Sequence, residues 1–345
     1  MKNPWLIIRF QKPPVSFWLD GRLPKVLLIL TLSLLLVIII SLVQGEYYIA
    51  PLEVVKTLLR LDTNSDAQFI INTLRLPRTL VALLVGVGLA IAGCIMQTIT
   101  RNPLADPSII GINAGAGLTA VLFIVIFPNL PIALLPISAF VGGLLVAGAI
   151  YLVAWQGENS VIRLVLVGIG FNFMVFAITN IIVTFGNINS VSQALVWLTG
   201  SVYGKTNAQV LILLPWIMIF MIIAWIMSKE LNSLNLGENL SIGLGLPLGK
   251  VQLMLLITSV ALSSASVAIA GTIGFVGLVA PHMARFLVGN THQGLIPVTG
   301  LMGGLLVVGA DVMGRWLFSP TELPCGIVTA IIGAPYFLFL LTKSR

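Results

Sequence analysis

Long apolar runs recur along nearly the whole chain, broken by short polar turns rich in glycine and proline. A helix rises about 1.5 Å per residue, so about 20 apolar residues cross the hydrocarbon core of a bilayer. That ruler predicts ten spans, at 26–43, 79–99, 108–127, 131–154, 161–185, 209–228, 251–271, 273–289, 295–318 and 324–342. No polar stretch is long enough for a second, soluble domain. The expectation is an all-α membrane protein, with residues 26–345 as one transmembrane domain behind a tail at 1–25.

Two echoes within the apolar pattern point to duplication. LAIAG at 89–93 returns as VAIAG at 267–271, each followed ten residues later by proline (Pro103, Pro281), and GGLLVAGA at 142–149 returns as GGLLVVGA at 303–310. The partners lie five spans apart, an odd number, so the second copy enters the membrane in the opposite sense. That is the inverted repeat of many transporters. Chance similarity in low-diversity apolar sequence is the competing explanation.

Charge sets the expected orientation. The tail carries Lys2, Arg9, Lys12, Arg22 and Lys25 among four prolines, and reads as basic, irregular and cytoplasmic. A cleaved signal peptide also begins this way, but the run at 26–43 is long enough to span and lacks a small-residue cleavage site. An even span count puts both termini on one side. Inside connections then hold Arg101, Arg163, Lys229, Lys250 and Arg285, and outside ones Lys56, Arg60, Arg75, Arg78, Lys205 and Arg315. Lys56 and Arg60 sit among Glu53, Asp62 and Asp66, whereas Arg75, Arg78 and Arg315 lack such dense neutralisation.

Composition fits lipid as solvent: 58% of residues are hydrophobic and 8% charged, against about 25% charged in soluble domains. The net charge of +7 is scattered at the ends of apolar segments and forms no basic face for nucleic acid. Cys94 and Cys325 have no CxxC partner, which argues against a disulfide framework or zinc site.

Several polar motifs remain. In RNPLADPSIIGINAGAG (101–117), Asp106 is placed to cap a helix opening at Pro107. LNLGENLSIGLGLPLGK (234–250) reads as two short helices separated by glycine on the inside face, a docking surface for a cytoplasmic motor. Gly249-Lys250 is no P-loop, since Val251 stands where Ser or Thr is required, so the chain does not bind ATP itself. His282 and His292 have no acidic or thiol cluster for a metal. Asp311 and Arg315, four apart, share a helix face as an ion pair. In span five, Asn172 and Thr179 fall on one face, which suits either interhelical hydrogen bonds or the wall of a translocation path. Spans two to eight hold almost no acidic residues in their apolar cores, which disfavours proton coupling and assigns the energy source to a partner. Intramembrane proteolysis has no usable residue set, and we expect no enzyme.

RLPRTL (75–80), Gln97 with RNPLADP (101–107), GTIGFVGLVAPHMAR (271–285) and ELPCGIVTAIIGAP (322–335) together resemble the FecCD family, permeases of binding-protein-dependent importers for ferric siderophores, haem and vitamin B12. The resemblance implies ten helices in the type II ABC importer permease fold and a bacterial cytoplasmic-membrane location. It also implies a second permease subunit, identical or related, two ATP-binding subunits inside and a substrate-binding protein outside. ATP and Mg would sit on the ATP-binding partners, with no cofactor or metal on this chain. Carried over by position, it places binding-protein docking at Arg75, Arg78 and Arg315. ATPase coupling falls within 229–250, including Leu236, Gly237, Glu238, Leu244 and Gly245, and the inner gate falls near Asn159, Ser160 and Val161. The implied cargo is an iron(III)-siderophore or related chelate, with vitamin B12 or haem as alternatives. An ion-coupled secondary transporter of the same repeat symmetry is the rival.

Overall fold

The computed structural model describes residues 5–10, 15–45, 47–61, 65–154, 161–317 and 321–343. An antiparallel pair, β1 (Trp5–Phe10) and β2 (Val15–Asp20), runs in register from Trp5↔Asp20 to Phe10↔Val15. The tail was expected to be irregular. Its β-branched and aromatic residues (Ile7, Ile8, Val15, Phe17, Trp18) favour strands, and Pro13 and Pro14 fall in the connection, outside the described residues.

Among the described residues, every regular element after β2 is helical. α1 (Leu23–Val43) leads to α2 (Pro51–Leu58) and α3 (Ser65–Phe69), and a π-helical stretch, Ile70–Arg75, joins α3 to α4 (Leu76–Ile99). A 3₁₀ turn, Pro107–Ile110, precedes α5 (Ile112–Val121), which continues as the π-helical Leu122–Ile126. α6 (Leu135–Ala154), α7 (Val161–Phe185), α8 (Ile188–Leu198) and α9 (Asn207–Ile226) follow. After them come the short α10 (Ser228–Leu234) and α11 (Glu238–Gly243), and finally α12 (Leu248–Ala270), α13 (Val276–Val288), α14 (His292–Trp316) and α15 (Cys325–Lys343).

Seven of the described helical segments are long and apolar enough to cross a membrane, and three shorter apolar ones, Ile112–Ile126, Val276–Val288 and Cys325–Leu340, complete the ten predicted. One of the ten differs in kind. α13 has 13 residues, about 20 Å at ~1.5 Å each against a hydrocarbon core of about 30 Å. The span predicted at 273–289 is therefore completed by non-helical backbone at 271–275, where Gly271 (φ 74°) and Phe275 (φ 68°) take left-handed conformations. Unpaired backbone is not tolerated at membrane depth. Around this stretch Ser201 N donates to the Ala270 carbonyl at 2.6 Å, Gly326 N to that of Gly200 at 3.1 Å, and the Thr272 hydroxyl to that of Leu198.

The duplication is visible in the packing. α4 lies against α14 as α12 lies against α6, and α5 packs on α6 as α13 packs on α14. A Cβ on Gly86 of α4 would stand 2.2 Å from the Gly303 carbonyl oxygen of α14, so only glycine permits this approach. By the sequence echoes, Gly86 corresponds to Ser264 and Gly304 to Gly143, and a Cβ on Gly143 would stand 3.2 Å from Ser264 Oγ. The proline echo does not hold structurally, because Pro103 lies in a loop and Pro281 inside α13. α4 is the central element: 83% of its apolar window is buried, against 11% for α7, which leaves a broad apolar face open.

Candidate docking faces and translocation path

Asp311 and Arg315 sit one turn apart near the C-terminal end of α14, and their predicted pairing is present, Asp311 Oδ2 to Arg315 Nε at 3.3 Å. The larger share of Asp311 goes to Arg78 at the start of α4, whose Nη2 and Nε donate to Oδ1 at 2.7 and 3.0 Å. Arg78 Nη1 also meets Glu322 Oε2 at 2.7 Å, and its guanidinium lies 5.4 Å from the centre of the Tyr203 ring. Arg315 donates from Nη2 to Ser41 Oγ at 2.7 Å and from Nη1 to the Gln44 carbonyl at 3.2 Å. Arg75 takes no carboxylate among the described residues. It donates to the carbonyls of Leu42 (2.6 Å), Val43 (3.0 Å) and Tyr47 at the end of α1.

The expectation of poorly neutralised arginines is thus corrected for Arg78 and Arg315. Among the described residues, Arg78 and Arg315 share two carboxylates while Arg75 bonds only backbone carbonyls, and all three arginines are buried, at 7–8% exposure. Sequence distance hid the pairing, since Asp311 and Glu322 stand 233 and 244 residues from Arg78. Nearby, burial lowers the pKa of Lys205, with Cys325 acting in the opposite sense.

The opposite end of the bundle carries the two short helices. Gly237 (φ 103°) separates α10 from α11 and Gly245 (φ 81°) ends the unit; the two short helices expected within 234–250 are thus displaced, since the first occupies Ser228–Leu234 and only α11 lies inside that segment. Ser241 Oγ ties the pair together, donating within 2.8 Å of both the Ser233 and Gly237 carbonyls. Glu238 faces Arg101 at 3.8 Å. Leu236, Leu240, Ile242 and Leu244 are all more than half exposed here. Leu240 and Ile242 were not singled out in the sequence. They emerge only because a six-residue helix turns them to the same exposed end.

Asp106 caps the Pro107 turn as read, accepting from Ser108 N at 2.9 Å, and burial raises its carboxyl pKa against that hydrogen bond. Asn172 makes hydrogen bonds of the kind its first reading describes: Nδ2 bonds the carbonyls of Gly168 (2.9 Å) and Ser108 (3.3 Å), tying α7 to the 3₁₀ turn. Thr179 bonds back to the Val175 carbonyl at 2.8 Å. Asn159 and Ser160 lie outside the described residues, and Val161 opens α7. His282 packs edge-on against Phe286 and Tyr336, and no group of three or more metal-ligating side chains occurs among the described residues. Pro281 cannot donate to the Gly277 carbonyl one turn back, and Gln97 Nε2 does so instead at 3.3 Å while its Oε1 accepts from Arg285.

A cavity of about 490 Å³ opens between the non-helical 272–275 stretch, the end of α8 and the start of α15, lined by Thr199, Thr272, Gly274, Phe275, Gly326 and neighbouring apolar residues. The clustered glycines of GTIGFVG were its sequence signal.

A bundle of ten apolar helices with an inverted repeat, a non-helical break beside α13, an arginine cluster at one end and an exposed leucine-rich helical pair at the other defines a multi-pass membrane transport permease. The FecCD transport family model matches residues 33–343, and the chain belongs to that family. It is 42% identical to the Fe(3+)-citrate import system permease protein YfmE of Bacillus subtilis (strain 168), over 91% of this chain and 94% of that one. It is 39% identical to the iron(3+)-hydroxamate import system permease protein FhuG of the same organism, over 93% and 98%. A solved inward-facing structure of a chain assigned to the metal-chelate type of ABC transporter superposes with a TM-score of 0.84 at 32% identity, covering 93% of this chain and 99% of the other. The chain is a transport subunit, not an enzyme.

Proposed function

We infer that this permease carries an iron(III) chelate, of siderophore or citrate type, from a binding protein outside into the cytoplasm of a bacterial cell. The relatives named for iron(3+) citrate and hydroxamate support the cargo class. In this reading both termini are cytoplasmic, α10–α11 faces two ATP-binding subunits that hold ATP and Mg, and a second permease covers the exposed apolar face of α7. The chain itself holds no cofactor. Docking of the binding protein falls on the Arg75, Arg78, Arg315 cluster. Leu236, Gly237, Glu238, Leu244 and Gly245, joined by Leu240 and Ile242, form the ATPase coupling surface. The inner gate falls at Asn159, Ser160 and Val161, and Asn172 and Thr179 belong to the same translocation path.

The observation that carries the reading is the placement of two unlike surfaces at opposite ends of α14, a net-positive arginine cluster and an exposed leucine-rich helical pair. The first suits an acidic partner and the second an apolar groove. Transport would proceed by alternating access between the two ends. Purification of the assembled complex from the native membrane tests the partner set directly. The expected result is co-purification of an ATPase and a binding protein that binds ferric chelates at micromolar affinity or better. A complex without an ATPase, or a binding protein blind to ferric chelates, contradicts it.

A further inference from the structure

α14 cannot satisfy two of its own backbone groups near its N-terminus. The N–H of His292, its first residue, has no preceding turn to bond, and Pro297 has no N–H to donate to the Gln293 carbonyl four residues earlier. Both groups are met by the α9–α10 segment. Asn232 Oδ1 of α10 accepts from His292 N at 2.9 Å, and Trp225 Nε1 at the end of α9 donates to the Gln293 carbonyl at 3.1 Å. The same Asn232 oxygen lies 2.8 Å from His292 Nδ1, and Asn232 Nδ2 lies 2.8 Å from Gln293 Oε1. An amide oxygen only accepts, so Nδ1 carries the imidazole proton and Nε2 is left to accept from Thr98 of α4, 2.9 Å away. His292 is fully buried.

From this clamp α14 extends over its 25 residues, about 37 Å at ~1.5 Å per residue, with Asp311 and Arg315 in its last two turns. Along that length it is fixed to α4 at three levels: Thr98 to His292, Gly86 against Gly303 and Gly304, and Arg78 to Asp311. The two helices therefore form one rod that is bonded to the α10 helix at one end and carries the arginine cluster at the other.

We propose that Asn232 is a positioning residue that joins the ATPase-facing helices to the α4–α14 rod, so that events at the arginine end reach α10–α11 through rigid-body movement of α14. The inference rests on the functional reading above. It departs from a merely structural capping role in requiring that the clamp transmit the signal of binding-protein docking.

The test uses the complete importer in lipid nanodiscs with its ATPase and binding protein, comparing wild type with Asn232→Leu, Asn232→Asp and Trp225→Phe. Two quantities are read: hydrogen exchange at residues 292–296, and the ratio of ATPase rates with and without loaded binding protein. Asn232→Leu is expected to speed exchange there by about tenfold and bring the rate ratio close to one. Asn232→Asp, whose carboxylate still accepts from both His292 donors, keeps both near wild type. Trp225→Phe, the milder lesion if Asn232→Leu does not fold, gives a partial loss of both. The proposal is overturned if exchange rises while stimulation persists, or if the Leu and Asp variants lose stimulation equally. A wild-type complex with no stimulation overturns the importer reading instead, leaving the exchange result to judge the clamp.

Discussion

Arg78 stands between two carboxylates of unequal standing. The Asp311 side chain is 2% exposed and shared with Arg315, whereas the Glu322 side chain keeps a third of its surface in solvent. A partly exposed ion pair of this kind contributes on the order of 1 kcal/mol or less, so a carboxylate from a docking partner can compete with Glu322 for Arg78. Glu322→Gln is therefore expected to tighten binding-protein affinity several-fold, read by surface plasmon resonance on the nanodisc complex. Arg75→Glu is expected to weaken it by about tenfold or more through repulsion. The second variant also strips the Leu42, Val43 and Tyr47 carbonyls of their donor, each costing about 1–3 kcal/mol if left unmet, so its melting temperature must be measured alongside. Unchanged affinity in both would remove the arginine cluster from the docking face. The positions of these arginines and the Asp311–Arg315 pair were legible from spacing alone. The Arg78 pairing was not, because nothing in a helix period links residues more than 230 apart.

At the scale of elements, the glycines of the α10–α11 unit differ from those in the spans. Gly245 has open space where a Cβ would go, but its φ of 81° is left-handed, so substitution strains the backbone without a clash. A residue forced into that conformation costs roughly 1–2 kcal/mol. Gly245→Val is expected to leave the membrane bundle folded while raising the ATP hydrolysed per chelate transported at least several-fold. Normal transport per ATP in proteoliposomes would deny the unit a coupling role. The glycine signals marked the break at Gly237 and the end at Gly245 in advance, but they placed the first helix after Leu234, where it in fact ends. The ten spans were readable too, because hydrocarbon thickness sets their length. What periodicity missed was the short α13, since the span ruler carries helix through 273–275, whereas the left-handed φ of Gly271 and Phe275 and the bond from the Thr272 hydroxyl to the Leu198 carbonyl mark the break. The hairpin at 5–20 was missed for a simpler reason: prolines and basic residues outweighed the β-forming residues between them.

The described helices are organised around the α4–α14 rod, flanked by α12 and α13, and α7 keeps a broad exposed apolar face. The repeat explains why α12 and α6 mirror that rod, with Ser264 and Gly143 in the places of Gly86 and Gly304. Of the acids along these elements, Asp311 is committed to arginine pairing and Asp106 to capping the Pro107 turn. The most direct measurement is uptake of radiolabelled ferric chelate into proteoliposomes holding the complete importer. Uptake should require both the binding protein and a hydrolysis-competent ATPase and should be indifferent to collapse of the proton gradient. Uptake that continues with an inactive ATPase and stops when the gradient is dissipated would contradict the account.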